Sequence, residues 1–242
     1  MKAEIFMNCN TIDEMRKQHQ LDRDLALDKV FNLMLKGVSV SNPELLFIKG
    51  ELSCGNNVKL GTNIIIEGRV VLGNDVSVGS NTVLRSCTIG DGTVIKAFCL
   101  LDDSVIGDNC FVGPYAHIRP FVSVGNNVSI GNFVEIKNSN IGVGCRINHL
   151  SFIGDADLSD HVTIGAGTIT CNHDGVDLNR TTIEQGAYIG SGSNLIAPLR
   201  INANATVASG STITEEVSAN TLAIARARQI AVENWKGPKS TR

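Results

Sequence analysis

An aliphatic residue recurs at every sixth position, with occasional steps of five, through most of this 242-residue chain. The series runs from Leu60 to Ile164 and resumes from Ile183 to Ile213. An α-helix repeats every 3.6 residues and a half-buried strand every two, so neither accommodates this interval. A parallel β-helix built from six-residue units does accommodate it, and the sequence therefore predicts an all-β solenoid.

Steps of five residues interrupt the series and indicate how many units form one coil. They occur from Leu84 to Ile89, Leu101 to Ile106, Ile136 to Ile141 and Ile153 to Leu158. Successive interruptions are 17 or 35 residues apart, which is once per three units or twice that distance. We therefore expect coils with three short faces and three corners. The Gly, Asn and Asp residues that follow the aliphatic positions supply corners where φ is positive.

Composition excludes several classes of function. The net charge of −3 and the pI near 5.9 argue against a nucleic-acid partner held by neutralised phosphates. There is no run of 18 or more apolar residues and no signal-peptide core in the first ten, so we expect no membrane passage and a cytoplasmic protein. The seven cysteines form no CxxC pair and are expected to be buried fillers in a reducing compartment.

The limits of the repeat divide the chain into three predicted segments. Residues 1–40 form a helical segment, in one or two pieces, with a capping box from Thr11 to Glu14 and Gly37 at its far end. Residues 41–218 form the solenoid, with a polar loop excursion at 170–181. Residues 219–242 form an irregular tail.

Two cations, Arg119 and Lys137, occupy the same position of the repeat one coil apart. Their side chains are then separated by one strand spacing, about 4.8 Å, and like charges so placed are unfavourable without a counterion. An anion between them turns the repulsion into binding, and phosphate is the natural candidate. On this interpretation, removing one cation leaves the empty protein no less stable. The alternatives are that both side chains extend into solvent, or that Glu135 and Asp155 neutralise them.

His149 is the candidate base of the chain. A single histidine in a repeat is usually a corner or surface residue, but Asn172 and His173 lie on the loop excursion of a nearby coil. A base and an anion site in one cleft is therefore the functional alternative. Metal binding is not expected, because His149, His161 and His173 are spaced by twelve residues, two thirds of a coil, and so lie on three different faces.

At these residues a family resemblance becomes specific. The run from position 119 to 175, with the motifs GNFVEIK, GDA and IGAGTITCN, resembles the acetyltransferase half of the bifunctional bacterial N-acetylglucosamine-1-phosphate uridyltransferase / glucosamine-1-phosphate acetyltransferase. The similarity extends from about Thr11 to Trp235. It implies a left-handed parallel β-helix that assembles as a homotrimer with clefts shared between chains. The uridyltransferase domain is missing from this sequence, so we expect no nucleotide transfer.

The resemblance also implies a role for each matching residue. His149 is the general base that takes a proton from the sugar amine as it attacks acetyl-CoA. Arg119 and Lys137 match the contacts to the sugar phosphate, and Phe152 and Thr163 stand at further acceptor positions. The acetyl-CoA positions are Ala166, Asn172, His173, Ser191, Ser209 and Arg226.

Departures from the family pattern concentrate on the acceptor side. Phe152 replaces a tyrosine, Thr163 an asparagine and Leu178 a loop lysine, for which Arg180 is the possible substitute. At the cofactor positions, His173 replaces a tyrosine and Ser209 an alanine. The expected function is acetyl transfer from acetyl-CoA to the amine of an amino-sugar phosphate, with glucosamine 1-phosphate as the first candidate. The alternatives are another amino sugar or nucleotide sugar, or a non-catalytic hexapeptide scaffold.

Overall fold

One long helix precedes the solenoid. The computed structural model describes residues 11–237, and its first element is α1, Ile12–Leu35. The predicted capping box is present, because Thr11 Oγ1 accepts from the Glu14 N–H at 3.2 Å and Glu14 Oε2 accepts from the Thr11 N–H at 3.0 Å. The helix is one continuous piece, and Val30 is its buried residue. No helix among residues 11–237 combines the length and apolar character that a bilayer span requires.

Predictions that involve residues 1–10 or 238–242 lie outside the described residues. They concern the start of the chain, Cys9, and the outer limits of the helical segment and the tail.

Short strands and one 3₁₀ turn, Pro43–Leu45, make up the solenoid. The strands begin with β1 Ser39–Val40, β2 Leu46–Cys54, β3 Lys59–Leu60, β4 Ile64–Leu72, β5 Ser77–Val78, β6 Val83–Arg85, β7 Thr88–Ile89, β8 Val94–Ile95, β9 Leu100–Asp102, β10 Ser104–Ile106, β11 Phe111–Val112, β12 His117–Ile118, β13 Val122–Val124 and β14 Ser129–Asn132. They continue with β15 Glu135–Lys137, β16 Asn140–Ile141, β17 Arg146–His149, β18 Phe152–Gly154, β19 Ala156–Leu158, β20 Thr163–Ile164, β21 Ile169–Cys171, β22 Thr181–Ile183, β23 Tyr188–Ile189, β24 Asn194–Ile196, β25 Leu199–Ile201, β26 Thr206–Val207, β27 Thr212–Ile213 and β28 Leu222–Ala223.

These strands form three parallel faces. The first face is the sheet β1-β3-β5-β8-β11-β14-β17-β20-β23-β26-β28. The other sheet bends around a corner, so that β6, β9, β12, β15, β18, β21, β24 and β27 form the second face and β7, β10, β13, β16, β19, β22 and β25 the third. The long strands β2 and β4 span both of these faces.

The register between coils explains the six-residue series. Partners are 18 residues apart, as for Leu60 and Val78, or 17 where a five-residue step intervenes, as for Leu72 and Ile89. Every aliphatic residue of the series is buried, in one column of core that runs along the solenoid axis. Full burial of such a side chain contributes about 1.5–3 kcal/mol. The predicted fold class, an all-β left-handed parallel β-helix with an N-terminal helix, is confirmed. The strands extend slightly beyond the predicted solenoid, because β1 precedes residue 41 and β28 pairs with β26 inside the predicted tail.

One corner departs from the expected Gly, Asn and Asp pattern. Where the chain passes from the first face to the second, the positive-φ residues of four successive coils are Phe98, Tyr115, Phe133 and Leu150. The three rings stack, with centroids 4.9 and 5.2 Å apart, and all four side chains are exposed. Stacking of about 0.5–1.5 kcal/mol per pair offsets part of the cost of the left-handed backbone.

Candidate functional site

His149 is the last residue of β17, at the edge where the chain passes from the first face to the second. We call this the leading edge of the second face. Asn132 lies directly opposite in the preceding coil, and its Oδ1 is 2.8 Å from His149 Nδ1. An amide oxygen only accepts, so a hydrogen bond here requires the ring proton on Nδ1, and Nε2 is then the nitrogen that can accept a proton. Sequence reasoning missed Asn132, although its 17-residue spacing from His149 could have revealed it.

A column of small residues continues from His149 along the leading edge. The register places Ala166, Ser191 and Ser209 in successive coils above the histidine. The N–H groups of the residues that follow them donate to the coil below, for example from Gly192 to the Ala166 carbonyl at 2.7 Å. At the top, Arg226 Nη1 donates to the Ser209 carbonyl at 2.7 Å. Four coil spacings separate His149 from Arg226, or about 19 Å.

Glycines make this column accessible. The residues after Ala166, Ser191 and Ser209 are Gly167, Gly192 and Gly210, which have φ values of 73°, 68° and 74°. The same corner carries exposed rings and Leu150 in the coils below. Above Leu150 it carries no side chain, so the leading edge becomes an open strip of backbone and small side chains. Such a strip suits an extended ligand.

An alternating ladder of charges runs along the opposite edge, where the chain leaves the second face for the third. We call this the trailing edge. Lys49, Glu67, Arg85 and Asp102 are in register in successive coils. Glu67 lies 3.5 Å from Lys49 and 2.8 Å from Arg85, and Arg85 lies 3.1 Å from Asp102. Each charge therefore neighbours one of opposite sign.

Arg119 and Lys137 follow in this ladder and break its alternation, because two cations are now adjacent. The structure resolves the conflict with separate carboxylates. Arg119 Nη1 is 2.9 Å from Glu135 Oε1, and Lys137 Nζ is 3.4 Å from Asp155 Oδ2. Of the alternatives that the sequence left open for these cations, the structure shows neutralisation by Glu135 and Asp155.

The two ion pairs differ in burial. The Arg119 and Glu135 side chains are 40% and 39% exposed, a geometry in which an ion pair contributes little and exchanges its partner easily. The Asp155 side chain is only 6% exposed. Burial raises the pKa of Asp155, but hydrogen bonds from Asn138 and Asn172 and the charge of Lys137 outweigh it and hold the pKa below the usual 3.8. The Asp155 carboxylate therefore stays ionised, and the Lys137 ammonium balances its negative charge.

The predicted acceptor residues are only partly brought together. Phe152 lies in the middle of the second face, in register with Glu135, and its ring covers Gly154, where a Cβ would lie 2.6 Å from Phe152 Cζ. Thr163 instead lies on the first face, between Arg146 and Tyr188. Within one chain it does not join the acceptor group.

The predicted cofactor residues form two groups. Ala166, Ser191 and Ser209 line the leading edge, whereas Asn172 and His173 begin the loop that leaves the trailing edge after β21. Asn172 is buried, and its side-chain amide donates to Asp155. His173 is exposed and forms an antiparallel bridge with Leu178. The two groups therefore lie at opposite edges of the second face.

Arg180 is already engaged. Its guanidinium donates to both carboxylate oxygens of Asp157 and, at 3.3 Å, to the carbonyl of Asn138. The Arg180 pair is as exposed as the Arg119 pair, but its two carboxylate contacts and its carbonyl contact anchor the return of the loop.

Other chemistries find little support in the described residues. No group of three His, Cys, Asp or Glu side chains among residues 11–237 is arranged to hold a metal ion. Burial raises the pKa of Cys87 to about 12 and that of Cys54 and Cys145 to about 11. These thiols are therefore poor sources of a thiolate nucleophile at neutral pH.

Comparison with known proteins identifies several relatives of this chain. Residues 103–138 match the family profile of the bacterial transferase hexapeptide (six repeats), and residues 48–120 match the GMPPB C-terminal domain. The chain is 44% identical to the bifunctional protein GlmU of Nitrosomonas eutropha, over 92% of this chain and 48% of that protein. It is 43% identical to that of Methylococcus capsulatus, over 96% of this chain and 50% of that protein.

The chain thus spans about half the length of the curated relatives it matches, and the resemblance drawn from its motifs is confirmed. Among solved structures, the UDP-N-acetylglucosamine acyltransferase LpxA of Bacteroides fragilis aligns with a TM-score of 0.45 and 17% identity, over 74% of this chain and 69% of that one. The fold assignment rests on the strand register described above.

The ion pair of Lys137 with Asp155 generates a stability prediction. Lys137→Met should lower the free energy of unfolding by about 1–3 kcal/mol, because it leaves a buried carboxylate without its cation. The double variant Lys137→Met/Asp155→Asn should recover part of this loss. Arg119→Gln, which breaks the exposed pair, should change stability by about 0–1 kcal/mol. Urea unfolding at pH 7 measures all three, and an unchanged Lys137→Met would contradict the prediction.

The same carboxylate should make the difference between wild type and Asp155→Asn depend on pH. Because the folded pKa of Asp155 is depressed, its stabilisation is present above the usual value of 3.8 and disappears as the pH falls through the lower folded value. The free energies of unfolding of wild type and Asp155→Asn, measured from pH 7 down to pH 3, should therefore approach one another at the acid end.

Proposed function

Because the chain is a relative of the bifunctional GlmU proteins and matches their C-terminal half, we propose that it is an acetyl-CoA-dependent N-acetyltransferase acting on an amino-sugar phosphate. Glucosamine 1-phosphate is the first candidate acceptor, with N-acetylglucosamine 1-phosphate as the product. One observation carries the proposal. A histidine with a free Nε2 and a break in an alternating charge ladder lie at the two edges of the same face.

In the reaction, His149 Nε2 accepts a proton from the sugar amine as the nitrogen attacks the thioester carbonyl of acetyl-CoA. The C–N bond forms and the C–S bond breaks. The proton held by His149 then passes to the departing coenzyme A thiolate or to solvent. Asn132 fixes the ring through Nδ1, 2.8 Å from its amide oxygen, and stabilises the imidazolium that forms.

The acceptor phosphate is proposed to bind at Arg119 and Lys137. Every cation below them in the ladder is held by carboxylates of the same column, whereas Arg119 pairs with the exposed Glu135. A phosphate can displace that carboxylate at small cost, because an exposed ion pair contributes little. It would then satisfy both cations with charge-assisted hydrogen bonds.

The strip along the leading edge is the proposed path of the pantetheine arm. It begins at His149, passes Ala166, Ser191 and Ser209, and ends at Arg226. Only one N–H of the Arg226 guanidinium is used by the Ser209 carbonyl, so the others remain for a phosphate of the nucleotide.

We propose that the complete site forms between chains of a homotrimer. His149 lies five residues from Gly154, which is in register with Lys137, so the two edges are up to about 17 Å apart and a flat face separates them. In a cyclic trimer with the second faces around the axis, the leading edge of one chain meets the trailing edge of its neighbour. This arrangement also unites the two groups of cofactor residues and covers the exposed rings of Phe98, Tyr115 and Phe133.

A different amino sugar or nucleotide sugar is the second candidate acceptor. It is favoured by the absence of a hydroxyl at Phe152 and of a cation at Leu178, and by the engagement of Arg180 with Asp157. A panel of amino sugars assayed by thiol release from acetyl-CoA would separate the two candidates.

Loss of the base gives the first functional prediction. His149→Ala should lower turnover by about 10² to 10⁴ and leave acetyl-CoA affinity nearly unchanged. His161→Asn is the matched control, because it removes another exposed histidine of the solenoid and keeps a residue that tolerates positive φ. Wild-type turnover in His149→Ala would place the base elsewhere, and a wild type without turnover on any amino sugar would favour the scaffold.

Discrimination between acceptors with and without a phosphate gives the second functional prediction. Arg119→Gln or Lys137→Met should raise the Michaelis constant for glucosamine 1-phosphate about tenfold or more, and that for glucosamine much less, because each loses a charge-assisted contact. Arg85→Gln removes a cation from the same ladder, away from the proposed site, and should not alter this ratio. Equal losses with both acceptors would mean that the cations do not recognise phosphate.

The proposed sharing of the site between neighbouring chains gives the third functional prediction. His149→Ala and Lys137→Met are on opposite sides of the proposed interface, so mixing the two impaired proteins after partial unfolding should create about one intact site in four. The assay uses glucosamine 1-phosphate well below the raised Michaelis constant of Lys137→Met, where both parent proteins are slow. Activity should therefore recover to roughly a quarter of wild type. No recovery from confirmed mixed trimers, or sedimentation of an active monomer, would contradict the shared cleft.

A further inference from the structure

We propose that Asp155 is a positioning residue that couples the acceptor side of the site to the loop of residues 172–180. The proposal rests on the proposed function for the identity of the two ligands. Asp155 does not itself touch a ligand, since it is 4% exposed. It acts through Lys137 on one side and Asn172 on the other.

The contacts of Asp155 reach the coils on both sides of it. Oδ1 accepts from the Asn138 side-chain amide, and Oδ2 accepts from both Lys137 Nζ at 3.4 Å and the Asn172 side-chain amide. The backbone adds two further contacts. The Asp155 N–H donates to the Lys137 carbonyl at 3.0 Å, and its carbonyl accepts from the Thr181 N–H at 3.1 Å.

The loop therefore leaves and rejoins the solenoid at this residue. Asn172 begins the loop and donates to the carboxylate, while Thr181, the first residue after the loop, donates its N–H to the carbonyl. Between them, the loop is held by its own contacts. Asp174 Oδ1 accepts from the N–H groups of Val176 and Asp177 at 2.9 and 2.8 Å, and the Asn179 N–H donates to the Asn172 carbonyl.

One oxygen atom thus serves both ligand regions. Lys137 is a proposed phosphate contact and Asn172 a proposed acetyl-CoA contact, and both donate to Asp155 Oδ2. A phosphate that also accepts from the Lys137 ammonium shares its charge with Asp155. Asn172 then carries more of the hydrogen bonding to Oδ2 and is held more firmly at the start of the loop. Acceptor binding should then favour cofactor binding, and by thermodynamic linkage the reverse holds equally.

The charge of Asp155 is essential to this coupling. Asp155→Asn keeps the shape of the side chain but removes the charge that attracts Lys137, and it places an NH₂ group where only acceptors fit. A residue that merely fills space would alter stability and would leave the mutual effect of the two ligands intact. The coupling itself is therefore the diagnostic measurement.

The test uses coenzyme A, which cannot react, and glucosamine 1-phosphate as the second ligand. Calorimetry should show that saturating glucosamine 1-phosphate tightens coenzyme A binding to wild type about fivefold or more, and to Asp155→Asn by a factor near one. Glu67→Gln, which alters a ladder carboxylate distant from both the loop and Arg119, should retain the wild-type factor. An unchanged coupling factor in Asp155→Asn, or none in wild type, would overturn the proposal.

A second measurement separates this inference from the proposed function. Amide hydrogen exchange of residues 174–180, without any ligand, should be at least threefold faster in Asp155→Asn than in wild type and unchanged in Glu67→Gln. If Asp155→Asn does not fold, Asn172→Ala removes the loop side of the contact alone and should show the same faster exchange. Equal exchange in the folded variants would refute the positioning role, even in a protein that acetylates no amino sugar.

Discussion

The register of main-chain hydrogen bonds between successive coils is the constraint on which the rest of this structure depends. Each coil is a parallel neighbour of the next, and partners are always 17 or 18 residues apart in the regular coils. A shift of one residue would move every aliphatic side chain from the core to the surface. The spacing of the aliphatic residues and the hydrogen bonds therefore fix one another.

Such a register converts sequence spacing into columns of neighbouring side chains. Where opposite charges alternate along a column, each one forms an ion pair with its neighbour, as in the series of Lys49, Glu67, Arg85 and Asp102. It also makes any exception conspicuous, because adjacent cations at Arg119 and Lys137 must find partners outside the pattern. The exposed Glu135 and the buried Asp155 fulfil that need in different ways, and the difference suggests which partner a ligand replaces easily.

A regular solenoid has flat faces and offers few enclosed cavities, so function must arise at its edges and irregularities. Here the base and the strip of small residues lie at one edge of the second face, while the unmatched cations and the loop lie at the other. Assembly of several chains is a natural way to bring two such edges together. Asp155 adds a link within one chain, since its single carboxylate contacts both a cation and the loop.

The sequence by itself determined the solenoid, its three faces and the stacking of Arg119 on Lys137, because these follow from spacing along the chain. It also singled out His149 and the loop. Only the tertiary structure decided that Asn132 fixes the His149 ring, that Thr163 lies on another face, and that aromatic rings occupy a positive-φ corner. It likewise decided that Glu135 and Asp155 take up the cations. The physical reason is that spacing fixes where a side chain starts, whereas its direction and partner depend on competition among all the groups that surround it in space.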